Sequence, residues 1–565
     1  MALNITINKT AVAASYPAGS TVATAVASGG TTPYTYSLAT GGDYFSIDAS
    51  TGAVTTKALM DASSIQSFSV TATDSNSTPE SITSGVVYPN IQATQQSKFN
   101  KSNVIYKIVN DIDLGNAVLT IPTGCTLDFQ GGSFSNGTIV GNNTKITAGL
   151  QKIFDTDITL SGTWSIADAY SEWFGAKKDG ITDDYLPIQK TLDSFRLLKL
   201  NKGTYNITLP IKITSNTSIY GVNNKTCILQ KTGNGTIDDI NAVLIITSTA
   251  TYVSGVNLSL FTISSAGYNV DYGIYAPQFS NSTLNCIDIW QCKTGIYLTA
   301  SWGLIFNQLD ISSNTRYRLS GSSYGYPIDT TYGIYCNSSG GTTFILNRCY
   351  VHGVAFGYYI KGIHKVNFSN ATVDNFHNTA FYMEGCEGTL NSCGCENGCI
   401  KSGLYLMYLA NAVLKFENFV TAGVKLEDTN TSATLFTIAY SSIIKLINSK
   451  IADVDIVGTF NYLGLSQSSS VEYDRNKTGF KEPNYIADEN SVIKVIEKDT
   501  ILIIKNAGRR NTTYLGIPSL GATANRPTRP PVGFCYYDMT LSKPIWVKSL
   551  SSGTVTWVDA TGATV

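Results

Sequence analysis

The sequence predicts an all-β protein. Its body is a right-handed parallel β-helix, with a small β-sandwich before it and a small β module after it. Three observations carry that prediction. Charged residues make up only 14% of the chain, against about 25% in a typical soluble domain, so Asn, Ser, Thr and Tyr must supply the polar surface. Those residues suit strands and amide-rich turns better than helices. Short strands follow one another with Gly and Asn turns between them. Finally, one pattern repeats: a small residue, an aliphatic or aromatic residue, then usually Tyr. It begins at Gly273, Gly295, Gly333, Gly357, Ala380, Gly403 and Gly423, in steps of 22, 38, 24, 23, 23 and 20 residues. The regular step fits one coil of a solenoid, whose apolar face is buried only by stacking. The long step holds an insertion, Asn314 to Thr330.

Taken in order, residues 1–92 hold short alternating strands such as ATAVAS and QSFSVTAT, separated by GG and TG turns, which is a β-sandwich pattern. Residues 93–170 hold still shorter strands, CTLDFQGG and NGTIVGNN among them, and read as first β-helix coils or a neck. The main β-helix is expected over 171–460. A helix is predicted at 185–200, where Ile188, Leu192, Phe195 and Leu198 share one face. Thr182, Asp183 and Asp184 stand where one of them can cap its first N–H groups, and Pro187 suits its first turn. Residues 461–515 read as a β-rich connection, with a hairpin turning near Lys498-Asp499. The terminal module, 516–565, has a lead-in stiffened by Pro527, Pro530 and Pro531. Strands around Trp546 and Trp557 then flank Ser551-Ser552-Gly553.

Three stretches resemble known families. Tyr36-Ser37-Leu38, Phe45-Ser46-Ile47-Asp48, Thr51-Gly52 and Ala72-Thr73-Asp74 resemble a cadherin-like immunoglobulin-fold repeat. The acidic pair and acidic linker of cadherin calcium sites are mostly missing, so Asp61 and Asp74 read as surface or turn residues. Phe174-Gly175-Ala176, Asp179-Gly180-Ile181-Thr182-Asp183-Asp184, Lys202-Gly203-Thr204-Tyr205 and Ile219-Tyr220-Gly221 resemble the opening of the pectate-lyase-like superfamily, which includes polygalacturonases and many phage tailspikes. That resemblance implies a helix capping the β-helix, with Phe174, Gly175, Asp179, Gly180, Asp183 and Asp184 as architecture. Arg526-Pro527, Val532-Gly533-Phe534, Asp538, Lys543-Pro544-Ile545-Trp546 and Trp557-Val558-Asp559 resemble a terminal segment of tail proteins of phages infecting gut Bacteroidota.

Polygalacturonase chemistry needs a Gly-His-Gly and an Arg-x-Lys, and neither occurs around His352, His364 or His377, which read as turn or surface residues. Asp238-Asp239 reads as a turn pair. Asp288 and Asp310 stand one coil apart, each between inward apolar neighbours, so both are expected to face outward. Coils lie about 4.8 Å apart, near the roughly 5–5.5 Å between the carboxylates of a retaining glycosidase. Their readings are a catalytic pair, two solvated carboxylates, or a pair bridged by a cation or by Arg316. Tyr275 and Tyr297 either form a ladder on the coil surface or pack against sugar rings, and Tyr350 continues the stripe beyond Asp310. Eleven cysteines at irregular spacing read as buried thiols. For Cys386, Cys393, Cys395 and Cys399, zinc and disulfide readings remain beside that one. No metal or other cofactor is expected.

The net charge of −1 leaves no basic patch for nucleic acid. No apolar run reaches about 18 residues, so no membrane insertion is expected. No signal peptide is legible, which fits synthesis in a host bacterial cytoplasm and release by lysis. The leading expectation is a virion protein, a tail fibre or tailspike that binds host surface polysaccharide. The resemblance implies a homotrimer, joined to other tail or fibre proteins through the N-terminal domain. The alternatives are a capsule depolymerase using the paired carboxylates, and a bacterial surface adhesin. The enzyme question stays open and leans toward binding without cleavage.

Overall fold

The computed structural model describes residues 2–565 except 13–14, 62–65, 249–251, 268, 314–315, 319–324, 328–330, 401–404, 427–432, 452–453, 456–459, 467–468, 475–484, 488–490, 498–499, 506–512, 515–518, 527–531 and 552–553. Several expectations lie outside the described residues: Gly403, the Lys498-Asp499 turn, Pro527, Pro530, Pro531, Ser552-Gly553, much of the 314–330 insertion, and the side chains of Asp61 and Arg316. The chain divides into two compact units, Met1–Lys177 with Leu186–Lys199, and Lys178–Tyr185 with Leu200–Val565. Among the described residues no helix is long and apolar enough to cross a membrane.

The first unit opens with two small antiparallel sheets. One orders the strands Asn4–Lys9, Thr21–Ser28, Ala53–Thr56 and Phe45–Ile47, and the other Ser81–Thr83, Ser69–Thr73 and Thr35–Thr40. Their alternating apolar residues meet in a core that holds Phe45 and Phe68, with ring centroids 4.9 Å apart. The acids here build turns. Asp48 accepts the N–H groups of Ser50 and Thr51. Asp74 is buried and accepts those of Thr31, Asn76 and Glu80.

Short parallel coils follow. Ile105 pairs with Thr126 and Thr126 with Lys145, while Val118 pairs with Thr138 and Thr138 with Thr159. Phe129, Phe134, Phe154 and Phe174 fill their interior edge to face or tilted, with centroids 5.4–5.9 Å apart. Each such contact adds about 0.5–1.5 kcal/mol beyond its buried area.

The acid-rich stretch is architectural throughout. Gly175 takes φ of 100° and closes the 3-10 turn Ser171–Phe174. Asp179 accepts the N–H groups of Ile181 and Thr182, across Gly180 at φ 76°. Asp184 is fully buried and accepts the Lys178 N–H. Asp183 accepts the N–H of Tyr185, the first helical residue, and the Thr208 hydroxyl. The helix is shorter than expected, Tyr185–Phe195. Arg196 enters the left-handed region at φ 51°, which ends the helix, and Leu197–Leu200 continues as a strand with Leu198 and Leu200 buried. Phe195 still packs, against Trp164 and Trp173.

The second unit is a right-handed parallel β-solenoid. In each coil a strand stacks in register on its neighbour, and the same inward position recurs as Leu284, Phe306, Leu346, Phe368, Leu390, Phe416 and Leu446. Alternating Leu with Phe lets large and small side chains interdigitate. One corner turns through a left-handed residue on coil after coil: Cys286, Gln308, Arg348, Asn370, Ser392, Asn418 and Asn448. Asn tolerates that backbone better than most residues, which explains its abundance.

Cysteines occupy inward positions that other coils fill with Ala or Ser. Cys386, Ala412, Ser442, Ser469 and Ser491 follow one another, joined by bonds such as Ala412 N–H to the Ser442 hydroxyl. Burial pushes the thiols of Cys386 and Cys393 up to about 12, so they remain uncharged and inert.

Parallel pairing continues past residue 460, through Phe460–Leu465 and Ser470–Asp474 to Val492–Glu497. The stretch expected to connect is thus largely further coil. It ends in the antiparallel hairpin with Thr500–Lys505. The last module is a four-stranded sheet, Ser519–Gly521, Cys535–Asp538, Lys543–Ser551 and Thr554–Asp559, with Trp546 opposite Val558.

Candidate functional site

The repeated three-residue pattern builds the most regular surface of the solenoid. A Cβ on Gly273, Gly295 or Gly333 would sit 2.3–2.4 Å from Ile289, Ile311 or Val351, so only glycine lets the wall close there. The following Ile274, Ile296 and Ile334 are fully buried. The next residue points outward, and in successive coils it is Tyr275, Tyr297, Tyr335, Tyr359 and Tyr382; in the coil after, the register brings up Tyr408 in place of the expected Tyr405, and Val424-Lys425 of the last expected repeat pairs in a different sheet. These six rings form one ladder. Neighbouring centroids lie 5.2, 5.1, 4.9, 4.2 and 4.6 Å apart, with planes within 17° of parallel. The insertion between the coils of Tyr297 and Tyr335 leaves their rings within 6° of parallel.

Stacking decides what the ladder can offer a ligand. The faces of its inner members are covered by their neighbours, so ring edges and hydroxyls remain, one per coil. Of the two readings of Tyr275 and Tyr297, the structure has the ladder, which presents a row of hydroxyls. Half-burial pushes the Tyr297, Tyr359 and Tyr408 hydroxyls up, and they stay protonated donors at neutral pH. At one end Tyr382 donates to Glu384, which also pairs with Lys361.

A second column runs beside the first, one residue before each pattern: Tyr272, Thr294, Tyr332, Phe356 and Thr379, aromatic except at the two threonines. Tyr332 and Phe356 stack at 4.9 Å and 14°. Where Thr294 interrupts the column lies a cavity of about 300 Å³, lined by Asp271, Tyr272, Lys293, Thr294, Tyr297, Tyr332 and Tyr335. This cavity was missed in the sequence, although reading YGIY, TGIY, YGIY and FGYY one beneath another exposes it.

Asp288 and Asp310 do face each other in register. However, Asp288 is not open to solvent. The 222–226 loop folds over it, leaving its side chain 2% exposed. Asn224 Nδ2 donates to it at 2.9 Å and Lys225 Nζ at 2.6 Å. Lys225 also lies 3.8 Å from Asp310 and 5.2 Å from the Trp290 ring. The bridge between the carboxylates is thus a lysine 63 residues upstream, which spacing within the coils could not reveal. Burial raises the Asp288 carboxyl above its ordinary range, against the opposing pull of Lys225.

Asp310 is a third exposed and has His352 Nε2 at 3.1 Å. Tyr350 donates to Asp374, which also accepts from Asn397, and its ring stacks on His352. Burial and the Asp374 contact push its hydroxyl well up. The strip is a set of closed polar pairs, with Tyr350 37% exposed at its edge. Of the other histidines, His364 is exposed while His377 is buried rather than superficial. Asp238 sits in a turn at φ 51° and pairs with Lys212. Among the described residues no group of three or more His, Cys, Asp or Glu is arranged to hold a metal ion.

No protein-family model matches the chain, and no curated protein matches it in sequence. Several solved structures are similar in fold. A tailspike, gp42 of Acinetobacter phage vb_AbaP_AS12, shares 17% identity over 69% of this chain and 79% of its own, with a TM-score of 0.48. Tailspike protein 3 of bacteriophage CBA120 shares 16% over 70% of each chain, TM-score 0.30. PfbA, a surface adhesin of Streptococcus pneumoniae, shares 12% over 69% of this chain and 98% of its own, TM-score 0.35.

Proposed function

We propose that the protein is a homotrimeric tail fibre or tailspike subunit that binds a host surface polysaccharide along the tyrosine ladder, with its N-terminal sandwich attached to the virion. The observation that carries the reading is the row of hydroxyls at Tyr275, Tyr297, Tyr335 and Tyr359, spaced by the coil repeat. A polymer with a hydroxyl-rich repeat finds a donor and acceptor at each step, on a surface already rigid before binding. The resemblance of the 174–184 stretch to the pectate-lyase-like superfamily, which includes many phage tailspikes, and of the 526–559 stretch to Bacteroidota phage tail proteins supports the viral part.

The test is a titration with capsular polysaccharides of gut Bacteroidota. The triple variant Y297F/Y335F/Y359F keeps the stacked rings and removes three hydroxyls. At about 0.5–1.5 kcal/mol per net hydrogen bond, its affinity should fall at least about tenfold, and equal affinity sinks the reading. The same incubation reports cleavage. New reducing ends that vanish in D288N and D310N would replace binding by hydrolysis. The chain should also be found in purified virions, whereas recovery only with the bacterial envelope would favour an adhesin.

A further inference from the structure

A strictly periodic ladder can hold a polymer but cannot fix its position, because every shift by one coil looks alike. The neighbouring column breaks that symmetry. Phe356 covers one face of Tyr332. The coil on the other side supplies Thr294, 7% exposed and without a ring, so the opposite face of Tyr332 stays open. Tyr272 stands one coil further on, held by Tyr275 and Tyr297 at 5.1 Å each. Two coils separate Tyr272 from Tyr332, or about 9–10 Å. A ring between them needs roughly 3.5–4.0 Å of contact distance on each side, so a single puckered ring fits and two do not.

The volume agrees. About 300 Å³ lies at the lower limit of ligand pockets. Thr294, Tyr297 and Tyr335 line the interior. At the rim, Lys293 Nζ donates to Asp271 at 2.7 Å, both side chains being a third or more exposed. That pair carries no net charge and offers an acceptor beside a donor. Aromatic walls select a flat C–H face, and the rim selects vicinal hydroxyls. A neutral pyranose has both.

We propose that the slot between Tyr272 and Tyr332 takes one neutral pyranose, a single-sugar branch of the polysaccharide, and so sets the register of the chain on the ladder. This rests on the ladder reading for its biological setting, though the slot can be tested by itself. Thr294→Phe puts a ring at this level of the column and fills the space. Lys293→Met, at the partly exposed rim, serves as a second variant that leaves the column unchanged. Binding of methyl α- and β-pyranosides of galactose, glucose, mannose and N-acetylglucosamine is read by saturation-transfer NMR at about 10 mM, and polysaccharide affinity by calorimetry.

At least one methyl pyranoside should bind through its ring C–H protons, and both variants should lose it. Polysaccharide affinity should fall about tenfold in T294F. If no methyl pyranoside binds, or if both variants bind as the unaltered protein does, the slot is not a sugar site. Polysaccharide bound equally with and without T294F overturns the slot and leaves the ladder standing. A pyranoside lost in T294F, with no polysaccharide bound at all, does the reverse.

Discussion

Gly362→Ala is expected to destabilise the solenoid by about 3–5 kcal/mol, at the severe end for a single methyl group. Gly362 takes φ of 69°, and a Cβ there would lie 1.8 Å from the Ser338 carbonyl oxygen of the preceding coil. The flanking pairs Asn337 with Lys361 and Gly341 with Ile363 clamp both backbones. Relief therefore means parting two coils and losing ladder hydrogen bonds on either side. Gly340→Ala is the control: its φ is 137°, but a Cβ there meets nothing within 4 Å, so it carries only the backbone strain, about 1–3 kcal/mol. Calorimetric melting of both variants decides the matter. Equal losses would mean that the approach between coils is not what requires glycine.

Arg526→Met should unfold the terminal module at neutral pH. Asp538 there is fully enclosed. It accepts from Arg526 Nε at 2.6 Å, from the Thr523 hydroxyl, and from the N–H groups of Thr540 and Leu541. Arg526 also donates to the Val565 carbonyl and lies over the Trp557 ring. Removing the cation leaves a buried carboxylate uncompensated, at a cost of about 3 kcal/mol or more.

The pH dependence gives this prediction a distinctive sign. In the intact module burial pushes the Asp538 carboxyl up, but Thr523 and Arg526 more than offset it, so its folded value lies below the ordinary one. Its stabilisation is then present above the ordinary carboxylate range and lost as pH falls through the folded value. Without Arg526 the folded value rises, so acidification from pH 7 toward about 4 should cost the variant module less stability than it costs the intact one. Trp546 and Trp557 fluorescence follows both transitions. A variant that weakens on acidification as much as the intact module does would contradict the assignment.

The coil repeat was legible because glycine, an inward aliphatic and an outward tyrosine each answer to a different steric demand at one corner. The cap at Asp183 was legible because the chemistry of a helix start is local. The helix end at Arg196 was not, since helical spacing of Leu198 persists by chance into a strand that also buries it. The closure of Lys225 over Asp288 was hidden for a different reason: stacking brings together positions two coils apart, and no local pattern encodes which loop lies over which wall. The tyrosines were recognised singly, but whether their rings would show faces or edges depends on the coil spacing, which is a property of the assembled wall. Thr294 carries information only as a missing member of a column.

The insertion that separates the coils of Tyr297 and Tyr335 leaves those two rings within 6° of parallel. The wall therefore keeps Thr294 opposite Tyr332 and Leu298 opposite Cys336 across a long insertion, and takes up a register shift only further along, before Leu304. Length and sequence can vary at that corner while the stacked strands on either side keep their partners.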